Sequence, residues 1–360
     1  MIYLDYQATT PLAPEARDAM LPWLSADGSA NPHSSHAPGR AAKAAIEVAR
    51  DQIAALLPPG GQVYFTGGAT EALNWALRGT GARRISISAV EHAAILDTAL
   101  WMGAGGADVT VLPVDHAGIV DTRALPKGTD LVAVMLVNNE IGTLQPIEAV
   151  AAAAPGSLIL CDAVQGYGRI VIPDCVHLVA ISAHKIHGPK GIGALWVRDD
   201  VSLEPLLHGG GQEGGLRSGT LSPALCAGFG RAAALAAARF DIDAAQIERL
   251  WTMATSRLGP EWTINGATDA RYHGNLNIRR EGLDGGRLIS ELRDIAFSAG
   301  SACASGSGRP SHVLQAIGLT ATEARSSIRV GFGRYTTEAE LTSAIDRIVA
   351  AADAQTRVAA

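Results

Sequence analysis

No stretch of this 360-residue chain runs for about 18 uninterrupted apolar residues, so no part of it is expected to cross a bilayer as a helix. The start, "MIYLDYQATTPLAP", lacks the basic opening and long apolar core of an export signal and places Asp5 early, which makes the cytoplasm the expected compartment. There is no long Lys/Arg run, and the net charge is -6; both argue against the phosphate affinity that nucleic-acid binders rely on. Small molecules and proteins are the expected partners. Cysteine is scarce: Cys161, Cys175, Cys226 and Cys303 lie far apart without a CxxC pair, a pattern of free thiols rather than of disulfides or zinc. No internal repeat is evident.

What is present is a folded chain of roughly two domains' length, 48% hydrophobic and 18% charged. In "GRAAKAAIEVARDQIAALL" (39–57), Ala42, Ile46, Ala49, Ile53 and Leu56 fall three and four apart, which predicts an amphipathic helix. After it, "QVYF", "RRISIS", "DVTVLPV", "DLVAVMLV", "GSLILC", "HLVAISAH" and "GALWV" are short branched-apolar runs separated by helical or Gly/Pro segments. That alternation predicts an α/β fold with a mostly parallel sheet covered on both faces. An Ala-rich stretch (224–258) predicts one or two long helices, followed by strands in "GNLNI", "IAFSAG" and "SIRVGF". Thr320 with Glu323, and Thr337 with Glu340, have capping-box spacing, so helices are expected to begin there.

Two charges sit where apolar strands end. Lys185 follows "HLVAISAH", where apolar surroundings lower an amine's pKa and suit it to form a Schiff base. Asp162 ends "GSLILC", and in a parallel sheet both would open onto the crevice where ligands bind. An acid beside such a lysine is what pyridoxal phosphate needs at its ring nitrogen, although a plain ion pair is the simpler alternative. In "VYFTGGATEALNWAL" the amides of Gly68, Ala69 and Thr70 open a helix that suits a phosphate, yet the Walker lysine and the dinucleotide fingerprint are missing. His92 also follows a strand. Cys303 stands apart from the other thiols: "SAGSACASGSGRPSH" surrounds it with Gly and Ser, a composition that predicts a mobile loop instead of a core position.

Taken in order, "YLDYQATTPLAP", "TGGATEALN", "EHAAILDT", "VNNEIGTLQPI", "CDAVQGYGRI", "SAHKIHGPKGIGAL", "HGGGQEGGLRSGT", "SAGSACAS" and "SSIRVGFGR" resemble the motifs of pyridoxal-phosphate-dependent cysteine desulfurases of the NifS/IscS type, from residue 3 to about residue 335. The resemblance implies transferase fold type I: a large cofactor-binding domain over 16–245, and a smaller α/β domain made of 1–15 and 246–360 that carries the Cys303 loop. It implies that L-cysteine becomes L-alanine while Cys303 takes the sulfur as a persulfide for delivery to an acceptor protein, for iron–sulfur clusters or other thiolation. Lys185 would carry the cofactor, Asp162 would partner its ring nitrogen, and His92 would stack on it and shuttle protons. Asn139 and Gln165 would contact the ring and its oxygen. Ala69, Thr70, Ser182 and His184 would hold the phosphate, with Thr220 reaching it from the other subunit of a homodimer. Arg329, together with Asn139, would bind the substrate, the arginine clamping its carboxylate. Arg309 and His312 are the cations closest in sequence that could lower the Cys303 pKa.

The chain departs from the family pattern twice. Gly214 stands where arginine is common, and the chain ends soon after "IVAAADAQTRVAA", short of the tail that housekeeping members use to dock an iron–sulfur scaffold. Two other functions also fit parts of the sequence. One is an aminotransferase or lyase of the same fold in which Cys303 is incidental. The other is a metal-binding protein using His33 and His36 or His184 and His187, but neither pair has a complete ligand set, and no metal is expected.

Overall fold

The computed structural model describes residues 1–299 and 310–359. Cys303, Arg309 and the expected mobile loop lie outside the described residues. The main sheet has seven strands: β1 (Gly61–Thr66), β2 (Arg84–Ser88), β3 (Asp108–Leu112), β4 (Leu131–Ala133), β5 (Leu158–Asp162), β6 (Leu178–Ser182) and β7 (Gly193–Arg198). Their order is β1-β7-β6-β5-β4-β2-β3. The expectation of a mostly parallel sheet holds, with one correction: "GALWV" is β7, which runs antiparallel to both β1 and β6. "DLVAVMLV" also yields a shorter strand than its length suggests, because only Leu131–Ala133 pair in the ladder.

The continuous apolar runs follow from burial on both faces. Along β6, Val179 and Ile181 pack with one core and Leu178 and Ala180 with the other, as the two-residue period of a strand requires. Helices α1 (Ala37–Ala54), α2 (Ala69–Gly79), α3 (Ala93–Ala104) and α4 (Pro223–Ala238) cover the two faces. α1 buries Ala42, Ile46, Ala49 and Ile53, the stripe read from the sequence. Where α1 meets α4 the contact depends on Gly230: a Cβ there would lie 2.6 Å from the Ala49 Cα. The Ala-rich stretch resolves into two helices, α4 and α5 (Phe240–Thr255), broken at Arg239.

A second sheet, antiparallel, pairs β8 (Trp262–Ile264), β9 (Asn275–Arg280), β10 (Ser298–Ala299) and β11 (Ser327–Gly331) in the order β10-β11-β9-β8. α5 and α6 (Glu338–Ala359) pack on it through Leu250, Leu341, Ile345 and Ile348. Thr337 and Glu340 form the expected box at the start of α6, and Thr320 with Glu323 does the same for the short helix Ala321–Arg325. "IAFSAG" is not one strand. Ile295–Ala296 pairs with Ile2–Tyr3, whereas Ser298–Ala299 pairs with β11, so the chain changes partner at Phe297.

This arrangement positions the N-terminal residues. The segment that follows Tyr3 bridges to β11 at Gly331 and then runs beneath the turn after β6. Thr10 N and Oγ1 both donate to the His184 carbonyl at 2.9 Å, and His187 N donates back to Thr10 Oγ1 at 2.7 Å.

Candidate active site

A cavity of about 420 Å³ opens at the strand ends and is lined by Ala69, Thr70, His92, Asn139, Asp162, Gln165, Ser182, His184, Lys185 and Arg329. Every cofactor and substrate residue expected from the sequence is therefore in one place except Thr220, which is exposed and outside this cavity.

Asp162 is the last residue of β5, and Lys185 sits three residues beyond β6, in the helical turn Ala183–Lys185. Because β5 and β6 are parallel, both side chains arrive at the same edge. Burial pushes the Asp162 carboxyl above the ordinary aspartate value; His92, the Val164 N–H at 2.9 Å and Lys185 pull it back. Lys185 Nζ donates to the carbonyls of Gln7 and Ala8, the second at 2.8 Å. The N-terminal segment is thus a wall of the site.

His92 caps α3, and its Nδ1 accepts the Ala94 N–H at 3.1 Å. That contact sets the tautomer: the neutral ring carries its proton on Nε2. At the other wall α2 starts at Gly68, which offers no side-chain cap, so the first-turn amides of this 11-residue helix are left for a ligand beside Ala69 and Thr70. Gly193 allows the close approach, since a Cβ there would come within 2.8 Å of the Gly68 backbone. Burial, with Lys185 and Lys190, holds His184 down at about 4, and its Nδ1 lies 3.1 Å from Thr9 Oγ1.

Arg329 lies in β11 and is 1% exposed. Its Nη2 donates to Asp5 Oδ1 at 2.8 Å and its Nη1 to the Asn139 carbonyl at 3.1 Å, but its buried Nε has no partner among the described residues. Arg329 lines the cavity, and a guanidinium there suits a carboxylate. Gln165 is held by its Nε2 bond to the Gln7 carbonyl at 3.0 Å.

Sequence reasoning missed Asp5, Gln7 and Ala8 as parts of the site. Their signal was a charged and polar cluster, "DYQATT", directly after an apolar start. His312 Nε2 is 2.9 Å from the Glu91 carbonyl, and the Cys303 thiol it was expected to influence lies outside the described residues. Gly214 adopts φ 65, a left-handed conformation that suits glycine better than the arginine common in the family. Of the other thiols, burial pushes Cys226 up to about 12 and Cys161 far up, which leaves both inert.

The residues present fit pyridoxal phosphate: a lysine and a carboxylate meet at one edge, an aromatic ring stands beside them, and an uncapped helix N-terminus is set to hold a phosphate. A family model for class-V aminotransferases matches residues 2–343. The chain is 41% identical over 375 residues to a cysteine desulfurase IscS of Rickettsia akari (strain Hartford), covering 98% of this chain and 91% of that relative. A NifS-like protein from Rickettsia africae has a similar solved structure, with TM-score 0.89 and 30% identity over 98% of this chain and 99% of that one. So does SspA in complex with cysteine, with TM-score 0.82 and 34% identity over 94% of this chain and 100% of that one.

Proposed function

The chain belongs to the class-V aminotransferase family and is a pyridoxal-phosphate-dependent cysteine desulfurase of fold type I, and on that premise we propose how its residues divide the work. The reaction converts L-cysteine to L-alanine and passes the sulfur on as a persulfide. When bound, the cofactor supplies an electron sink next to the substrate's α-carbon.

Lys185 would hold the cofactor, and its Nζ, aimed by the Gln7 and Ala8 carbonyls, would take the substrate's α-proton. Asp162 holds the proton at the cofactor's ring nitrogen, and Gln165 and Asn139 contact the ring and its oxygen. Ala69, Thr70, Ser182 and His184 hold the phosphate. Arg329 clamps the substrate carboxylate, its position set by Asp5 and by the Asn139 carbonyl. His92 returns a proton from Nε2. The Cys303 thiolate forms a bond to the substrate sulfur as the substrate's carbon–sulfur bond breaks. The electron pair and a proton stay with the carbon skeleton, which leaves as alanine.

The observation that carries this reading is the meeting of Lys185, Asp162, His92 and Arg329 in one cavity. We propose further that residues 16–245 form the large unit and 1–15 with 246–360 the smaller, that two chains pair so that Thr220 completes the second subunit's phosphate site, and that the enzyme works in the cytoplasm with a sulfur-acceptor protein. Substituting Cys303→Ser tests the sulfur step. The variant should keep the absorbance of bound cofactor and lose alanine and persulfide formation, whereas Lys185→Ala should lose the borohydride-reducible cofactor linkage. Full turnover of L-cysteine by Cys303→Ser would refute the role given to that thiol.

A further inference from the structure

The turn 138–141, which brings Asn139 to the active-site cavity, is held by side chains rather than by a ladder. Asn138 is buried, and its Oδ1 accepts the N–H groups of Glu140 and Ile141 at 2.8 and 3.0 Å, which closes the turn. The small sheet takes up the carbonyls. Asn275 and Asn277 stand two apart on β9, so both face the same side. Asn275 Nδ2 donates to the Asn139 carbonyl at 3.1 Å, and Asn277 Nδ2 to the next one, Glu140, at 3.0 Å. Arg329, the ladder partner of Asn277 on β11, brings its Nη1 to the Asn139 carbonyl as well. Arg271 Nη2 ties the Ile141 and Asn275 carbonyls together at 2.9 and 3.0 Å.

The two asparagines are equally buried but differ in what they secure. Asn277 Oδ1 also accepts Asn265 Nδ2 at 2.7 Å, and the residue it holds, Glu140, does not line the cavity. Asn275 Oδ1 has no partner among the described residues, so its side chain makes one bond, to the residue that does line the cavity. A half-satisfied amide is a costly way to fill a core position. What it achieves is to fill the second lone pair of the carbonyl that Arg329 also uses. One residue earlier, the Gly274 carbonyl accepts Gln7 Nε2 at 2.8 Å, and Gln7 is the residue whose own carbonyl takes the Lys185 amine. The start of β9 thus touches both walls of the site.

We propose that Asn275 is a positioning residue for substrate recognition: by sharing the Asn139 carbonyl with Arg329, it fixes the guanidinium against Asn139 and so sets how both meet the substrate. Without it, Arg329 is the only side chain on that carbonyl, and the two residues are free to shift relative to one another. The proposal rests on the reading of Arg329 as the substrate clamp.

The test uses holoenzyme of the wild type and of Asn275→Ala, Asn277→Ala and Arg329→Lys, each checked for bound cofactor by its visible absorbance. Two constants are read: KM for L-cysteine from alanine formation, and the Kd of L-alanine, which carries the same carboxylate, from the change in cofactor absorbance. In Asn275→Ala both should rise about three- to tenfold, as loss of one neutral hydrogen bond implies, with kcat within about twofold of wild type. Asn277→Ala loses buried hydrogen bonds of the same kind, so its thermal midpoint should fall at least as far, yet both constants should stay within about twofold of wild type. If Asn275→Ala does not load cofactor, Asn275→Ser, which keeps a polar group in the buried position, is read for the same split. Unchanged constants at position 275, a loss confined to kcat, or an equal rise in Asn277→Ala would overturn the proposal. Constants unchanged in Arg329→Lys would overturn the clamp and this proposal with it, whereas a rise in Arg329→Lys alone sinks only the role given to Asn275.

Discussion

Replacing Arg329 by lysine isolates the geometry of the substrate clamp from its charge. Arg329 is nearly inaccessible, and two of its donors are fixed, Nη2 on Asp5 and Nη1 on the Asn139 carbonyl. Lysine keeps a cation opposite the half-buried Asp5, so that acid is not left alone and the fold should survive. What lysine lacks is the planar fork that matches a carboxylate, so a hydrogen bond to the substrate carboxylate is lost. A hydrogen bond to a charged group contributes about 1.5–3 kcal/mol. At about 1.4 kcal/mol per factor of ten, kcat/KM for L-cysteine should fall about 10- to 100-fold. Because the carboxylate is bound in both ground and transition states, most of that loss should appear in KM. Alanine formation measured over a range of cysteine concentrations separates the two constants, and the cofactor's visible absorbance checks that the site is loaded. An unchanged KM, or a loss confined to kcat with KM intact, would refute the clamp.

Two further expectations follow from the same geometry. Between about pH 6.5 and pH 4 the cofactor-free protein should lose stability, because burial holds His184 down at about 4 and His187 at about 3 while both imidazoles titrate near 6.5 when unfolded. In that window the unfolded state binds more protons, so the stability present above pH 6.5 is lost as pH falls; urea midpoints across this range should show it, and His187→Gln should flatten the slope, whereas a slope unchanged by that substitution would remove His187 from the account. Thr220→Ala should lower cofactor affinity several-fold in a homodimer. Mixed dimers of Thr220→Ala with Lys185→Ala should keep one site with both residues intact only when those residues come from different chains, and activity that does not depend on such mixing would refute the shared site.

The sequence was most informative where chemistry and periodicity coincide. α1, the strands of the main sheet and both capping boxes are local patterns, set by side-chain spacing along a few turns, and they appear close to where they were expected. Lys185 and Asp162 were legible because charges directly after buried strands have few places to go. Strand direction was not legible: "GALWV" has the same apolar character in either orientation, and only its pairing with β1 and β6 makes it antiparallel. The split of "IAFSAG" between two partners at Phe297 depends on contacts with Ile2, hundreds of residues away, and with Arg329 in a later strand. The same distance hid the Asp5–Arg329 pair and the carbonyls that aim Lys185.

The N-terminal strap has a consequence for how the molecule is made. Asp5 and Arg329 are 324 positions apart, and Gln7 is 178 positions from the lysine it holds. On a ribosome the strap emerges long before its last partner. Contacts of such long range are slow to close. A nascent chain that stops short of β11 is therefore expected to form the main sheet and the phosphate-holding helix but no substrate clamp. In that order of synthesis the chain would be able to hold its cofactor before it could recognise an amino acid.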